Sequence, residues 1–432
     1  MKKNLKCRDL TLAVLLAFGF CLNSCSSAPE EKFSDSTVTA PSQTEKSEHP
    51  FEIPNDVYFS MLEKSVTNKG NNYRIKKFLE KIRSGENVYV ACIGGSVTEG
   101  AGPADFRDGY AYQFSKLLRR TYAPQGATNL TFDGAGLSGS SSVVGLVRYQ
   151  QDVVDVLKTD PDLLVIEFAV NDGGEPTNQR AFEQLIRNAL EAKPEAAVIA
   201  LYSAAKYPNT QLQMSLFANH YKIPQVSIQD AINNRKNSFT DEQFFTDIVH
   251  PTKEGHTIMA ECLMNILDIA DKAEYDENFP IPEDYKKNRN FSGFRQIKGD
   301  DENVKINSGD FNSIDSATQS LKKNNKGDFP VNWYHKSGAG KNSFKMDIDC
   351  KNMILVYKDF GSWTGIKAGS AEILIDGKVV KTANGFTGNG WNNCVELLVI
   401  DEEVSTKHFV EVRMKEGDED KAFSIIGLGY SK

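Results

Sequence analysis

Four short polar stretches contain the residues of this chain that could do chemistry. In the first, Ala91–Gly100, Ser96 follows two glycines directly after an apolar run. Such a run has the length and β-branched content of a buried strand, and paired glycines allow a tight turn with exposed N–H groups. The other stretches supply a glycine, an amide, a carboxylate and an imidazole, and they are residues 133–140, 169–172 and 247–251.

These residue types fit a single kind of chemistry, acyl transfer to a serine. Ser96 needs a base to accept its proton, and His250 titrates close enough to neutrality to do so. Asp247, three residues earlier, can fix the tautomer of the imidazole. The backbone N–H groups of Ser96 and Gly139 and the side-chain amide of Asn171 can form an oxyanion hole.

The segment that must position these groups alternates strand and helix from about residue 55 to 275. Apolar runs predict five strands, and helices with one apolar face separate them. These strands are predicted at 88–93, 130–132, 163–168, 197–201 and 225–228. The pattern predicts a three-layer, doubly wound parallel α/β sheet. Three stretches then follow strands and the fourth precedes the last helix, so all four are expected at the ligand-binding edge of the sheet.

The order of these blocks resembles the SGNH (GDSL-type) hydrolase superfamily. The blocks are Gly-Gly-Ser-x-Thr around Ser96, then Gly139, Val-Asn-Asp around Asn171, and Asp-x-x-His-Pro ending the domain. The resemblance spans about residues 86–270. It implies a flavodoxin-like fold with the triad and oxyanion roles given above. Gly95 and Ala169 depart from the usual Asp and Gly of the pattern. These departures leave the triad in place and weaken the transfer of substrate preference from other members.

In detail the blocks resemble bacterial carbohydrate esterases, which remove acetyl groups from polysaccharides and often carry a β-sandwich module. The sequence therefore predicts a serine acetylesterase acting on an acetylated carbohydrate. A lipid-directed esterase or lysophospholipase, and a non-catalytic glycan-binding lipoprotein, are the alternatives. No cofactor is expected, and no metal, since CxxC, HExxH and clustered histidines are absent. A net charge of −8 argues against a nucleic-acid partner.

Several polar residues near these blocks have expected supporting roles. His256 is interpreted as structural. Arg148 and Glu167 are expected to line or brace the pocket. Asp172 is expected to cap the loop that follows it.

The N-terminus resembles a bacterial lipoprotein signal. A basic start and a short apolar core end at Leu22-Asn23-Ser24-Cys25, which predicts a signal peptide over 1–24 and lipidation of Cys25. Residues 25–54 are polar and predict a flexible tether. The prediction is an exported protein, lipid-anchored to the membrane at the bacterial cell envelope or cell surface.

The C-terminal third has a different texture. Residues 276–290 are charged and contain prolines, as in a linker, and 291–432 hold short β-rich runs that predict an all-β sandwich domain. Trp333, Trp363 and Trp391 are candidate glycan contacts in this accessory domain, because aromatic faces stack on sugar rings. Cys350 and Cys394 are candidates for a disulfide, since an exported protein meets an oxidising compartment.

Overall fold

The first part of the protein is built on a six-stranded sheet. The computed structural model describes residues 49–285, 290–299, 301, 303–316 and 329–432. The strands of this sheet are β1 (Val66–Asn68), β2 (Val88–Gly94), β3 (Leu130–Gly136), β4 (Leu163–Glu167), β5 (Ala197–Tyr202) and β6 (Gln225–Ser227). Their order is β1-β6-β5-β4-β2-β3, and every pair is parallel except β1 with β6.

Helices connect these strands. They are α1 (Asn55–Ser65), α2 (Tyr73–Ser84), α3 (Ser96–Glu99), α4 (Tyr110–Tyr122), α5 (Ser142–Tyr149), α6 (Asp155–Leu157), α7 (Arg180–Ala192), α8 (Gln211–His220), α9 (Ile228–Asn233), α10 (Asp241–Phe244) and α11 (Lys253–Lys272). One helix group, containing α2, α4 and α11, covers one face of the sheet, and a second group, containing α5 and α7, covers the other.

Side-chain alternation along the central strands explains why both faces are covered. On β2, Val88, Val90 and Cys92 enter one core, whereas Ala91 and Ile93 enter the other. A strand that is apolar on both sides is stable only between two layers of helices. The predicted three-layer, doubly wound α/β fold is confirmed.

Two elements of this sheet differ from the prediction. Strand β1 is a sixth strand of only three residues, too short to give a periodic signal, and it pairs antiparallel with β6 at the sheet edge. Strand β3 continues through Gly136, so the first half of the predicted loop at 133–140 is strand. Gly134 pairs there with Cys92, and Gly136 pairs with Gly94, so both glycines belong to the parallel strand pair.

The second part is an all-antiparallel β domain, as predicted. Its strands are β7 (Arg295–Gln296), β8 (Val304–Asn307), β9 (Trp333–His335), β10 (Phe344–Asp359), β11 (Ser370–Ile375), β12 (Lys378–Asn384), β13 (Asn393–Met414) and β14 (Phe423–Ser431). The main path runs β12-β11-β13-β10-β14-β7, with β8 on β10 and β9 on β14. The two runs predicted at 395–400 and 409–413 lie on one irregular strand of 22 residues, β13.

The cysteine pair expected in this domain does not form. The side chains of Cys350 and Cys394 are both buried. Cys350 pairs in register with Thr406, whereas Cys394 pairs with Lys358. These positions are eight residues apart on β10, about 26 Å along a strand, which is far beyond the reach of a disulfide.

A continuous apolar core joins the α/β part to the β domain. It contains Val143 and Val147 from α5 together with Phe329, Ile354 and Ile426 from the β domain. All five side chains are almost completely buried. The two parts therefore share one hydrophobic interior at this junction.

The N-terminal predictions fall mostly outside the described residues. The signal at 1–24, Cys25 and the tether up to residue 48 lie there. The prediction of a flexible tether is wrong for its last residues, because Ile53 is fully buried and His49 stacks on Tyr58. Within the described ranges, no helix combines the length and apolar character needed to cross a membrane.

Candidate active site

Ser96 lies on a sharp turn between β2 and α3. It is the first residue of α3, and it is 8% exposed. A Cβ atom on Gly94 would lie 2.0 Å from Thr98 Oγ1, so the turn needs a glycine there. Thr98 is held in turn, because its hydroxyl donates to Glu167 Oε2 at 2.9 Å. Burial raises the pKa of Glu167, which lies at the end of β4.

The structure brings Ser96, His250 and Asp247 into a hydrogen-bonded relay. His250 Nε2 is 2.8 Å from Ser96 Oγ, and His250 Nδ1 is 2.6 Å from Asp247 Oδ2. A carboxylate only accepts hydrogen bonds, so Nδ1 carries the proton. Nε2 is therefore free to accept the proton of the Ser96 hydroxyl, which is the arrangement of a general base and its nucleophile.

Asp247 is kept ionised by its hydrogen bonds. Partial burial pushes its pKa up, but the hydrogen bond from the His250 ring and those from the backbone N–H groups of His250 and Val249 outweigh that effect, so its pKa is lowered. Both backbone groups donate to Asp247 Oδ1, at 2.8 Å from Val249 and 2.9 Å from His250. The carboxylate can thus stabilise an imidazolium while its own orientation stays fixed.

The loop carrying His250 packs directly against the loop after the nucleophile. The backbone N–H of Thr246 donates to His250 O at 2.8 Å, which closes the loop on itself. A Cβ atom on Gly102, whose φ is +118°, would lie 2.0 Å from Pro251 O. This contact between the two loops fixes the distance between base and nucleophile.

Gly139 and Asn171 also lie at this edge of the sheet. Asn171 follows β4, in a turn where its N–H donates to Phe168 O at 2.9 Å, and a Cβ atom on Gly95 would lie 2.2 Å from its side-chain oxygen. The Asn171 side chain is therefore against the nucleophile turn. Gly139 has a φ of +68°, a conformation that favours glycine.

Arg148 braces the strands that end at the site. Its side chain is fully buried on α5 and donates to Gly94 O at 2.9 Å, Ala135 O at 2.8 Å and Asp152 Oδ2 at 2.9 Å. The guanidinium thus holds the ends of β2 and β3 side by side. Of the two roles expected for Arg148, the structure shows bracing from beneath the site.

His256 lies near the relay but has no part in it. It is fully buried, and its Nδ1 accepts the N–H of Tyr110 at 3.1 Å, so Nε2 donates to Ala101 O at 3.1 Å. Burial lowers its pKa to about 4. The neutral ring joins α11 to α4 and to the loop after the nucleophile, which is a structural position.

The three tryptophans occupy different places. Trp333 is 8% exposed and packs edge-on against Phe344 inside the β domain, so the prediction of a glycan contact at Trp333 is wrong. Trp363 and Trp391 are 67% and 41% exposed. A Cβ atom on Gly139 would lie 2.4 Å from Trp391 Cζ2, so this indole touches the glycine beside the relay.

Sequence reasoning missed three carboxylates that hold the loop bearing Gly139. No sequence pattern indicates Glu99 or Glu396, and the pattern around Asp172 predicts a cap of the loop that follows it. Asp172 instead accepts the N–H of Ser142, 30 residues earlier, at 2.7 Å. No local pattern could reveal these contacts, since each depends on chain segments that meet only in the fold.

In the described part of the chain, no group of three or more His, Cys, Asp or Glu side chains is placed to hold a metal ion.

A Ser–His–Asp relay at the carboxyl edge of a doubly wound sheet defines a serine hydrolase site. Residues 92–258 match the model of the GDSL-like Lipase/Acylhydrolase family. The predicted resemblance to SGNH (GDSL-type) hydrolases is confirmed over this part of the chain. None of the curated proteins matches the chain in sequence.

Two solved structures of one two-domain esterase match both parts of this chain. A two-domain esterase (CEX) active on acetylated mannans matches with a TM-score of 0.72 and 24% identity, covering 86% of this chain and 99% of its own. The same esterase co-crystallised with mannopentaose matches with a TM-score of 0.72 and 23% identity. This match covers 86% of this chain and 98% of the esterase chain. A catalytic mutant of an acetylxylan esterase from Geobacillus stearothermophilus gives a TM-score of 0.34, 19% identity, and coverage of 43% and 96%. The first two matches establish the fold.

Proposed function

We propose that this protein is a serine esterase that removes acetyl groups from a polysaccharide through an acyl-enzyme at Ser96. The single observation that carries the proposal is the Ser96–His250–Asp247 relay. Ser96 Oγ attacks the acetyl carbonyl carbon while its proton passes to His250 Nε2. The N–H groups of Ser96 and Gly139 and the amide of Asn171 stabilise the oxyanion.

The remaining steps of the reaction use the same three side chains and one water molecule. The tetrahedral intermediate collapses, the bond from the carbonyl carbon to the sugar oxygen breaks, and His250 returns its proton to that oxygen. Water then attacks the acetyl-enzyme with His250 again as the base, which releases acetate and regenerates Ser96. Asp247 stabilises the imidazolium in both halves of the reaction.

The proposal of a carbohydrate substrate is supported by the exposed indole of Trp391, which touches Gly139, and by the exposed indole of Trp363 on a connected loop. Asn392 Oδ1 accepts the N–H of Gly361 at 3.0 Å, which ties the loop of Trp363 to the loop of Trp391. Aromatic faces stack on sugar rings. The two-domain esterase of similar fold is active on acetylated mannans, which suggests the same class of substrate for this protein.

The first experiment uses p-nitrophenyl acetate with the wild type and the Ser96→Ala variant. We expect Ser96→Ala to abolish turnover with its melting temperature within a few degrees of the wild type. Unchanged turnover would rule out the mechanism. An acyl chain-length series should peak at acetyl, and a peak at octanoyl or beyond would favour a lipid-directed esterase.

The second experiment measures acetate release from acetylated xylan, mannan, pectin and peptidoglycan. Trp363→Ala should raise KM for the preferred polymer by about threefold to tenfold, because a stacking surface is lost, and leave p-nitrophenyl acetate hydrolysis unchanged. Val404→Ala, a similarly exposed position of the β domain, is the matched control. Binding of every polymer with no acetate released would instead support a glycan-binding protein.

We also propose that the protein works at the bacterial cell envelope, lipid-anchored through Cys25. The support is the basic and apolar N-terminal sequence ending in Leu22-Asn23-Ser24-Cys25. Expression of the full chain in a bacterium and metabolic labelling with an alkyne fatty acid test this proposal. Labelling should disappear in Cys25→Ser, and equal labelling of that variant would refute it.

A further inference from the structure

The loop that bears Gly139 is held at both ends by carboxylates of the α/β part. At its start, Glu99 Oε2 accepts the N–H of Ser138 at 2.8 Å and also the Ser138 hydroxyl. At its end, Asp172 Oδ1 accepts the N–H of Ser142 at 2.7 Å. Both carboxylates are at most 2% exposed. Glu99 lies in the helix that begins with Ser96, so the start of the loop is tied to the nucleophile.

The middle of this loop is held from the β domain. Ser141 Oγ donates to Glu396 Oε1 at 2.7 Å, across 255 positions of sequence. Ser141 is 4% exposed and Glu396 is partly buried, so the hydrogen bond is only partly open to water. Five residues before Glu396, Trp391 packs on Gly139. One short segment of the β domain therefore contacts the loop at two points, on either side of Ser140.

We infer that Glu396 is a positioning residue, by which the β domain sets the place of the Gly139 N–H in the oxyanion hole. The inference rests on the proposed acyl transfer at Ser96. Gly139 is two residues from Ser141, so a shift of Ser141 moves the N–H that must meet the developing negative charge. Stabilisation by such a donor depends on its being placed before the charge forms.

The chemistry of the pair supports this role over a merely cohesive one. Burial raises the pKa of Glu396, and the carboxylate of Glu175 adds to that rise. A partly buried carboxyl group of this kind adds little net stability, because its desolvation offsets its hydrogen bond. The hydrogen bond from Ser141 to Glu396 instead favours one conformation of the loop, because its geometry is fixed.

The test compares Glu396→Leu, Glu396→Gln and Ser141→Ala in the full chain. We expect Glu396→Leu and Ser141→Ala each to lower kcat for p-nitrophenyl acetate by about 10-fold to 50-fold with KM within twofold. This loss is smaller than the ~10²–10³-fold effect of deleting a donor outright. Glu396→Gln keeps an oxygen that accepts from Ser141 and should retain kcat within about twofold. Glu403→Leu, an exposed glutamate on the same strand, is the matched control.

Two further readouts separate positioning from stability. Rates are expressed per active site, titrated with a serine-reactive phosphonate, so unfolded protein does not count. In the double variant of Ser141→Ala with Glu396→Leu the loss should equal that of either single variant, because both remove one hydrogen bond. Three results would each overturn the inference. They are a loss in the double variant equal to the product of the single losses, a wild-type kcat in Glu396→Leu, and a kcat in Glu396→Gln as low as that in Glu396→Leu.

Hydrogen exchange keeps the inference testable if the proposed function fails. The amides of the peptide covering residues 137–142 should exchange at least about fivefold faster in Glu396→Leu than in the wild type and at the wild-type rate in Glu396→Gln. Turnover unaffected by Ser96→Ala would refute the acyl-enzyme, whereas unchanged exchange in Glu396→Leu would refute the role of Glu396. The two failures are thus distinguishable.

Discussion

Replacing Asp247 by asparagine should move the proton of the His250 imidazole from Nδ1 to Nε2. Asp247 Oδ1 accepts two backbone N–H groups, from Val249 and His250. An asparagine must keep its oxygen at that position, because its NH2 group cannot accept. Its NH2 group then faces His250 Nδ1, which becomes an acceptor and leaves its proton on Nε2. In that tautomer His250 donates to Ser96 and cannot take its proton.

The size of the effect follows from this inversion. The wrong tautomer of a relay histidine costs about 10⁴-fold in kcat in the well-known serine proteases, or about 5 kcal/mol of transition-state stabilisation. We expect a loss of the same order in Asp247→Asn. Stability should change by less than about 0.5 kcal/mol, since the Asp247 side chain is 49% exposed and both backbone hydrogen bonds persist.

The assay is steady-state hydrolysis of p-nitrophenyl acetate with thermal unfolding in parallel. Asp241→Asn is the matched control, because Asp241 lies six residues earlier, is 43% exposed and pairs with Arg235. It should keep wild-type kcat. A loss of less than tenfold in Asp247→Asn would show that the fixed orientation of the carboxylate does not govern the tautomer.

Three other perturbations follow from the packing around the site. Gly139→Ala should lower kcat at least about tenfold, since φ is +68° and the added Cβ meets an indole ring, whereas Gly126→Ala, with φ +77° and open space, should not. Arg148→Met should lower the free energy of unfolding by about 3 to 5 kcal/mol in denaturant titrations, because it leaves Asp152 without its buried counter-charge; a loss below 1 kcal/mol would contradict this. His256 has a pKa of about 4 when folded against 6.5 when unfolded, so the unfolded chain takes up the proton first as the pH falls. Its contribution to stability, about 3 kcal/mol, should be present above pH 6.5 and be lost between pH 6.5 and 4, and His256→Gln should abolish that part of the pH dependence.

The α/β fold and its chemical residues could be predicted because their signals are local. A strand such as β4 (Leu163–Glu167) is apolar up to its last residue, and each chemical block directly follows a strand or precedes a helix. Parallel strands then bring the blocks to one edge, so Ser96 and His250 meet although they are 154 positions apart in sequence. The doubly wound strand order thus brings the blocks together, and the contact of Gly102 with Pro251 then sets the distance between base and nucleophile.

The remaining features depend on contacts that sequence periodicity does not encode. Strand β1 has three residues and depends on pairing with β6 rather than on its own pattern. Trp333 shares with Trp363 a neighbourhood of polar residues, and only the fold separates the buried ring from the exposed one. Glu396 is one acidic residue among many until β13 places it beside Ser141.

The apolar interior common to α5 and the β domain determines how this protein can be divided. A chain cut at residue 290 would leave Val143 and Val147 facing water, because Phe329, Ile354 and Ile426 come from the removed part. Such a fragment would expose a patch that favours aggregation. Heat should therefore melt the whole described body in a single cooperative calorimetric transition, and new specificities are better sought by exchanging surface side chains than by grafting one half onto an unrelated enzyme.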